Sequence, residues 1–247
     1  MNRQRDYWDS LAGQPLDASV IDPNDTRGRK NRYLAGIRNR LILKHVSGVP
    51  KDGIVLDLGC GTGSLSQTLG SGGHAVVGVD ISPGLLRRTK DRNYMAPAVF
   101  IRYDGTSLPL ADASIDAVAT YVVLTHVMAE EELSSLLGEC LRVLRPGSLM
   151  VCMEQCRRRE QIDREGWKHF RTRDQWLSAF QAAGFLVEEA RTVRFGRFPM
   201  TQLVRFGLVP TALFGALSWV EQALGRLLTS LPWGYSDLLF VMRKPKA

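Results

Sequence analysis

The feature that most restricts the fold is a tight glycine-rich bend, Asp57-Leu58-Gly59-Cys60-Gly61-Thr62-Gly63, directly behind the short apolar run Ile54–Leu58. Glycines at alternate positions allow backbone dihedrals closed to other residues and let a ligand approach the main chain closely. A helix is expected from Ser64, and its first amide groups, unpaired within the helix, face the same crevice. Strand, bend and helix in that order belong to an open α/β sheet, where ligands sit beyond the carboxyl ends of the strands.

The rest of the chain repeats this rhythm. Residues 75–79 read as a second strand ending in Asp80, and a helix runs from Pro83 towards Asn93, since a first helical turn tolerates proline. Residues 99–102 and 115–121 read as the third and fourth strands. Residues 130–144 place Leu133, Leu136, Leu137, Cys140, Leu141 and Leu144 on one helical face. Arg145-Pro146-Gly147 then breaks the helix, and residues 148–153 make a fifth strand. A helix at 173–183 stops at Gly184, and the last strands fall at 185–194 and 238–243. Ahead of the sheet, Asp25 or Thr26 is positioned to cap a helix over 27–46. Such alternation predicts a mostly parallel sheet covered by helices on both faces. Residues 198–234 depart from it: Leu213, Leu217, Val220, Leu224, Leu227 and Leu231 recur at helical spacing, which marks an amphipathic helical insertion. The expected organisation is one domain, with an N-terminal helical cap (1–49), a core (50–197), the insertion (198–234) and a last strand (235–247).

The charges around the bend say what it holds. A nicotinamide fingerprint needs Gly-x-Gly-x-x-Gly, and Ser64 occupies the third glycine position; no Lys-Ser/Thr follows, which excludes a phosphate-binding P-loop. Asp57 at the start of the bend is poor company for a pyrophosphate and suits a cation with an ammonium group, held directly or through water. Asp80, about twenty residues on, is placed to accept ribose hydroxyls, and Asp104 after the third strand to accept from an adenine amino group. Structural roles stand beside these: Asp57 steadying the loop, or Asp80 capping the next helix, although Ser82 is the better cap. Tyr121, ending the fourth strand, points into the crevice or simply packs.

Four segments in register resemble the motifs of class I, Rossmann-like S-adenosylmethionine-dependent methyltransferases. Residues 55–63 resemble the first motif and Val77-Gly78-Val79-Asp80-Ile81-Ser82 the second. Asp104-Gly105-Thr106-Ser107-Leu108-Pro109-Leu110 with Ile115-Asp116-Ala117-Val118 resembles the third and fourth, and residues 141–149 resemble the entry to the fifth strand. The likeness covers residues 50–195. It implies S-adenosyl-L-methionine as cofactor, held by Asp57, Gly59, Cys60, Gly61, Gly63, Asp80, Ile81, Asp104, Gly105 and Tyr121. It also implies a seventh, antiparallel strand beside the fifth, a place open to residues 238–243.

Methyl transfer is an in-line displacement, and a hydroxyl acceptor must also lose a proton. His126, just after the fourth strand, resembles a family histidine bordering the active site, and His169 precedes a helix in a region that usually faces acceptor. Both are candidate catalytic bases, and both have a structural alternative, whereas His45 and His74 read as structural. Glu154 either contacts acceptor or pairs with Arg157. The Asn/Asp-Pro-Pro-aromatic segment of amino-methylating relatives is replaced by Thr120-Tyr121-Val122-Val123, and the paired-glutamate loop of arginine methyltransferases is missing. A small-molecule or saccharide hydroxyl is therefore the leading acceptor, and the segment from Asp22 to Tyr33 resembles methyltransferases of bacterial polysaccharide assembly, which implies a bacterial polysaccharide or a lipid-linked glycan. The lead-in from Asp6 to Ala12 resembles segments that close over the cofactor in small-molecule methyltransferases. The alternatives are a quinone or natural-product methyltransferase, or an RNA-binding methyltransferase using the basic surface. The net charge of +7 is spread along the chain, which makes nucleic acid the weaker partner. The aromatic residues Phe206, Phe214, Trp219 and Trp233 of the insertion would cover the acceptor mouth or touch a membrane. No 18-residue apolar run, signal-like start or zinc-like cysteine spacing is present. A cytoplasmic protein without metal, with reduced thiols and peripheral contact with the membrane's inner face, is the resulting expectation.

Overall fold

Apolar runs in the sequence become strands of one sheet. The computed structural model describes residues 2–196, 199–227 and 234–246. Its strands are β1 (Ile54–Leu58), β2 (Ala75–Asp80), β3 (Ala98–Arg102), β4 (Ile115–Tyr121), β5 (Leu144–Cys156), β6 (Gln161–Ile162), β7 (His169–Phe170), β8 (Leu186–Phe195) and β9 (Ser236–Arg243). Seven form a sheet in the order β3-β2-β1-β4-β5-β9-β8, while β6 and β7 pair only with each other. The first five run parallel, and β9 runs antiparallel between β5 and β8, as the family resemblance implies.

The helices are α1 (Asn2–Ser10), α2 (Arg29–Val46), α3 (Ser64–Ser71), α4 (Pro83–Arg87), α5 (Glu130–Val143), α6 (Arg173–Ala182), α7 (Pro199–Arg205) and α8 (Phe214–Leu227). Strand β1 shows how the layers form. Leu56 and Leu58 join a core with Leu133, Leu136 and Leu137 of α5 and Trp176 and Phe180 of α6. Val55 points the other way, into a second core with Leu34, Ile37 and Leu41 of α2 and Leu65 and Leu69 of α3. Side chains alternate across a strand, so a parallel strand clad by helices must be apolar on both faces.

The structure shifts several element bounds for local reasons. Helix α2 begins after Gly28, which takes φ +64°, yet Asp25 still accepts the Asn31 amide at 2.8 Å and so satisfies one orphan donor of the first turn. Ser82 caps α4, accepting the Leu85 amide at 3.0 Å, and that helix stops at Arg87 in a 3₁₀ turn over Arg88–Asp91. Arg145-Pro146-Gly147 makes no separate turn. Strand β5 already starts at Leu144, opposite Ile115, and the three residues bulge inside it before Leu149 pairs with Ala117.

The insertion is helical, and α7 and α8 lie on α2. Tyr33 donates to Glu221 at 2.5 Å and meets the Phe214 ring edge-on at 5.5 Å, while Arg29 donates to the Val204 carbonyl at 3.3 Å. Leu231 and Trp233 fall outside the described residues.

Candidate active site

The sheet order reverses between β1 and β4, and the site lies beyond their carboxyl ends. The Gly59 and Cys60 amides donate to the Val79 carbonyl at 2.8 and 3.0 Å, and the Gly61 amide to Asp80 at 2.8 Å. At Gly59, Gly61 and Gly63 φ is +70°, +53° and +79°. A Cβ at these positions would lie 2.3 Å from Val123 Cγ2, 2.5 Å from Val20 Cγ1 and 2.2 Å from Tyr94 Oη. Both dihedral and space therefore demand glycine at each.

Two acids act on this loop from different sides. Asp80 accepts from Gly61 with Oδ2 and from the Ser82 amide with Oδ1 at 2.8 Å, and its carboxylate lines the cavity above the loop. Burial pushes it up to about 6 against the pull of those amides. Asp57 sits beneath the loop instead, accepting from Ser66 Oγ at 2.5 Å, and burial pushes it up to about 6 as well. Arg38 of α2, buried beside it, donates to Ser64 Oγ at 2.9 Å and carries its guanidinium 5.4 Å from the centre of the Tyr121 ring.

Two adjoining cavities open here, of about 290 and 320 Å³, each spacious enough for one small ligand and neither for a folded polymer. Gly59, Gly61, Asp80, Ile81, Tyr103 and Gly105 line the first. Tyr7, Ile21, Leu34, Gln155, Lys168 and Tyr235 are among those lining the second. Trp8, Val20, Tyr121, Val122 and His126 border both. The cap supplies Trp8 and Val20, and α1, which carries Trp8, is anchored at two points. Asp9 accepts from the Gly84 amide at 2.7 Å and from Ser82 Oγ, while Tyr7 stacks on Trp167 with centroids 4.6 Å apart.

The turn after β4 shapes the wall between the cavities. Val122 takes φ +54°, a left-handed conformation rare for a β-branched residue. What holds it is Glu154 at the end of β5. Its carboxylate accepts the amides of Val123, Leu124 and Thr125 at 3.2, 3.0 and 3.0 Å and the Thr125 hydroxyl at 2.7 Å. Glu154 thus neither lines a cavity nor pairs with Arg157; burial pushes it up to about 7.

The turn delivers His126 to the wall. Its Nδ1 lies 2.8 Å from the Trp167 carbonyl, which can only accept, so Nδ1 carries the hydrogen and Nε2 is left as the acceptor. Burial, with Lys168 nearby, lowers it to about 3, so it stays neutral. His169 goes elsewhere: on β7, its Nε2 is 2.6 Å from Glu160 and its Nδ1 3.2 Å from the Met128 carbonyl, and it lines neither cavity.

Of the other candidates, Ile81, Gly105 and Tyr121 reach the first cavity. Gly63 serves as the N-cap of α3, and the Cys60 thiol packs behind Gly78. Asp104 is exposed and accepts the Thr106 and Ser107 amides, each at 2.8 Å, at the edge of a shallower depression. Those donors hold it below the usual carboxylate range. The sequence did not single out Tyr103, Trp8, Gln155 or Lys168. Arg38 did leave a trace, lying on the same stripe as Leu34, Leu41 and Ile42 of α2.

Residues 56–152 match the family model described as a methyltransferase domain. Over that span the chain carries a methyltransferase domain. Among curated relatives, the demethylmenaquinone methyltransferase of Renibacterium salmoninarum is 40% identical over 116 residues, 47% of this chain and 46% of that one. The protein of the same name from Roseiflexus sp. is 33% identical over 124 residues, covering 49% and 51%. The chain thus spans about half the length of the curated relatives it matches. A solved structure, geranyl diphosphate C-methyltransferase from Streptomyces coelicolor, superposes with a TM-score of 0.66 over 99% of both chains at 15% identity, a likeness of fold. The first cavity suits the methyltransferase cofactor: glycines leave the wall bare, Asp80 offers a carboxylate, and Ile81, Leu85 and Tyr103 give an apolar seat for a base.

Proposed function

We propose that this protein methylates a small aromatic hydroxyl compound of the hydroquinone type, using S-adenosyl-L-methionine. One observation carries the reading: a glycine-walled, acid-bearing cavity adjoins a second, aromatic-walled one across a wall of Trp8, Tyr121 and His126. S-adenosylmethionine supplies a methyl group on positive sulfur, electrophilic towards a nucleophile in line with the C–S bond. In this arrangement Asp80 takes the ribose hydroxyls, Asp57 steadies the loop through Ser66, and Gly59 and Gly61 let the ligand reach the main chain. Val122 and His126 hold the two ligands face to face, which is the entropic part of the task.

The acceptor moves from the saccharide expected at first to the quinone alternative. The relatives matched across the core take their name from demethylmenaquinone. A planar ring suits a slot bounded by Tyr7, Trp8, Leu34 and Tyr235. It enters reduced, since an oxidised quinone is itself an electrophile. The RNA reading loses ground because many cations are spent within the fold: Arg38, Arg171 and Arg194 are buried, and Arg92, Arg142 and Arg243 are in ion pairs.

A lipophilic acceptor needs a route from the bilayer, and we assign it to the insertion. Phe206, Leu208, Leu213 and Trp219 are exposed by 66, 70, 52 and 72%, with Arg27 and Arg205 beside them and no acidic residue between positions 196 and 220. Such a face suits the surface of an anionic membrane from the cytoplasmic side. No described helix is long and apolar enough to cross a membrane.

The test is calorimetry with S-adenosylmethionine and S-adenosylhomocysteine, followed by turnover on 1,4-naphthohydroquinone under anaerobic conditions. Binding of both ligands and a product heavier by one methylene are expected. No heat with either cofactor form would remove the methyltransferase reading; heat without turnover would remove the hydroquinone.

A further inference from the structure

Three cations line the second cavity: Lys30, Lys168 and Arg194. Two are matched, Lys30 with Asp22 and Arg194 with Asp237, each at 2.6 Å, and Arg194 also lies 3.9 Å from Glu221. Lys168 forms no ion pair among the described residues, and its Nζ donates to the neutral Gln155 at 3.2 Å. The backbone fixes its place, because the Trp167 and Lys168 amides both donate to Asp163, at 2.6 and 3.1 Å. Asp237 on β9, Asp163 in the β6–β7 connection, and Asp22 and Lys30 in the cap are the charged groups that influence it, and burial outweighs them.

A second observation points the same way. Arg194 is 2% exposed, and its Nη2 has no hydrogen-bond partner. A buried unpaired donor costs free energy that a ligand accepting from it would recover. The chamber therefore holds an ammonium group with no ion pair among the described residues, and guanidinium N–H groups of Arg194 that make no hydrogen bond.

We propose that this chamber takes its acceptor as an oxyanion, a phenolate-type oxygen held by Lys168 with Arg194 as hydrogen-bond donor. The inference rests on the hydroquinone reading and specifies what that site recognises. The hydroxyl proton leaves to water as the acceptor enters. Electron density then passes from oxygen through the ring to the carbon beside it, which bonds to the methyl group as the C–S bond breaks. The anion and the sulfonium become a neutral dienone and a neutral thioether. Movement of the ring-carbon proton to oxygen restores the hydroquinone, so one proton is released overall.

The test uses 4-nitrophenol, whose anion absorbs in the visible, titrated into full-length protein saturated with S-adenosylhomocysteine. Wild type is expected to bind the phenolate about ten- to hundredfold more tightly than Lys168→Met, the effect of one nearby charge in a shielded site. Lys168→Arg should recover most of the loss, and S-adenosylhomocysteine heat should be the same in all three proteins. Equal phenolate binding by wild type and Lys168→Met, or none by wild type, would overturn the proposal while leaving cofactor binding and naphthohydroquinone turnover to judge the parent reading. Charge-dependent phenolate binding without naphthohydroquinone turnover would uphold the oxyanion site and remove the hydroquinone.

Discussion

Replacing Gly59 by alanine tests the loop and the turn after β4 together. The new Cβ would stand 2.3 Å from Val123 Cγ2, more than 1 Å inside the about 3.5 Å at which carbon atoms rest. Val123 has little room to yield: it is β-branched, follows the left-handed Val122, and donates its amide to Glu154. Overpacking of this kind costs about 1–3 kcal/mol. Holding alanine at φ +70° adds about 1–2 kcal/mol. Gly59→Ala should therefore destabilise by about 2–5 kcal/mol. Val123→Ala removes the obstructing methyls, so the double variant should keep the backbone cost and lose the collision. Urea unfolding of the four proteins of the cycle gives the coupling, expected at about 1–3 kcal/mol in the relieving direction. Additive losses, or a Gly59→Ala penalty below about 1 kcal/mol, would refute the contact between bend and turn.

Three further outcomes are expected. Asp80 is raised to about 6, above its unfolded value, so the protonated form stabilises the apoprotein and that contribution is lost as pH rises through about 6. Cofactor needs the carboxylate, so S-adenosylmethionine affinity should climb up to about tenfold per pH unit below 6 and level off above it, as calorimetry at several pH values would reveal. His126 stays neutral down to about 3, too weak a base to take a proton outright, so His126→Asn should lower kcat by no more than about tenfold; a loss within the usual 10²–10⁴ range of general bases would show that it does accept the proton. Its depressed value also means that stability falls as pH drops from about 6.5 towards 3. Finally, the Phe206→Ser, Trp219→Ser pair should release the protein from vesicles containing phosphatidylglycerol without changing S-adenosylhomocysteine binding, and undiminished co-sedimentation would dismiss the membrane face.

What the sequence disclosed depended on how local the cause was. The glycine bend, the strand rhythm and the Ser82 cap follow from residues a few positions apart, and each appears where expected. The bulge at residues 145–147 was hidden because proline and glycine read as a break, whereas the contacts that absorb it come from β4 and from Arg243 and Lys244, which bond the Gly147 main chain. The hairpin of β6 and β7 has strands of two residues, too short for any periodicity. Asp104 followed by Thr106 and Ser107 is the pattern of a side chain folding back on its own turn, and that local use explains its place outside the first cavity. Lys168 carried no signal at all. Its standing depends on Gln155, Asp237 and the cap, which the fold gathers from distant parts of the chain.

Trp8 belongs to a helix docked through Asp9 onto the start of α4, and it touches both compartments at once. One short stretch of polypeptide is thus roof to two rooms. Under the proposed function, nucleoside and acceptor would both lie against that one side chain, so loosening the helix at Asp9 is expected to weaken the two binding events together rather than one alone.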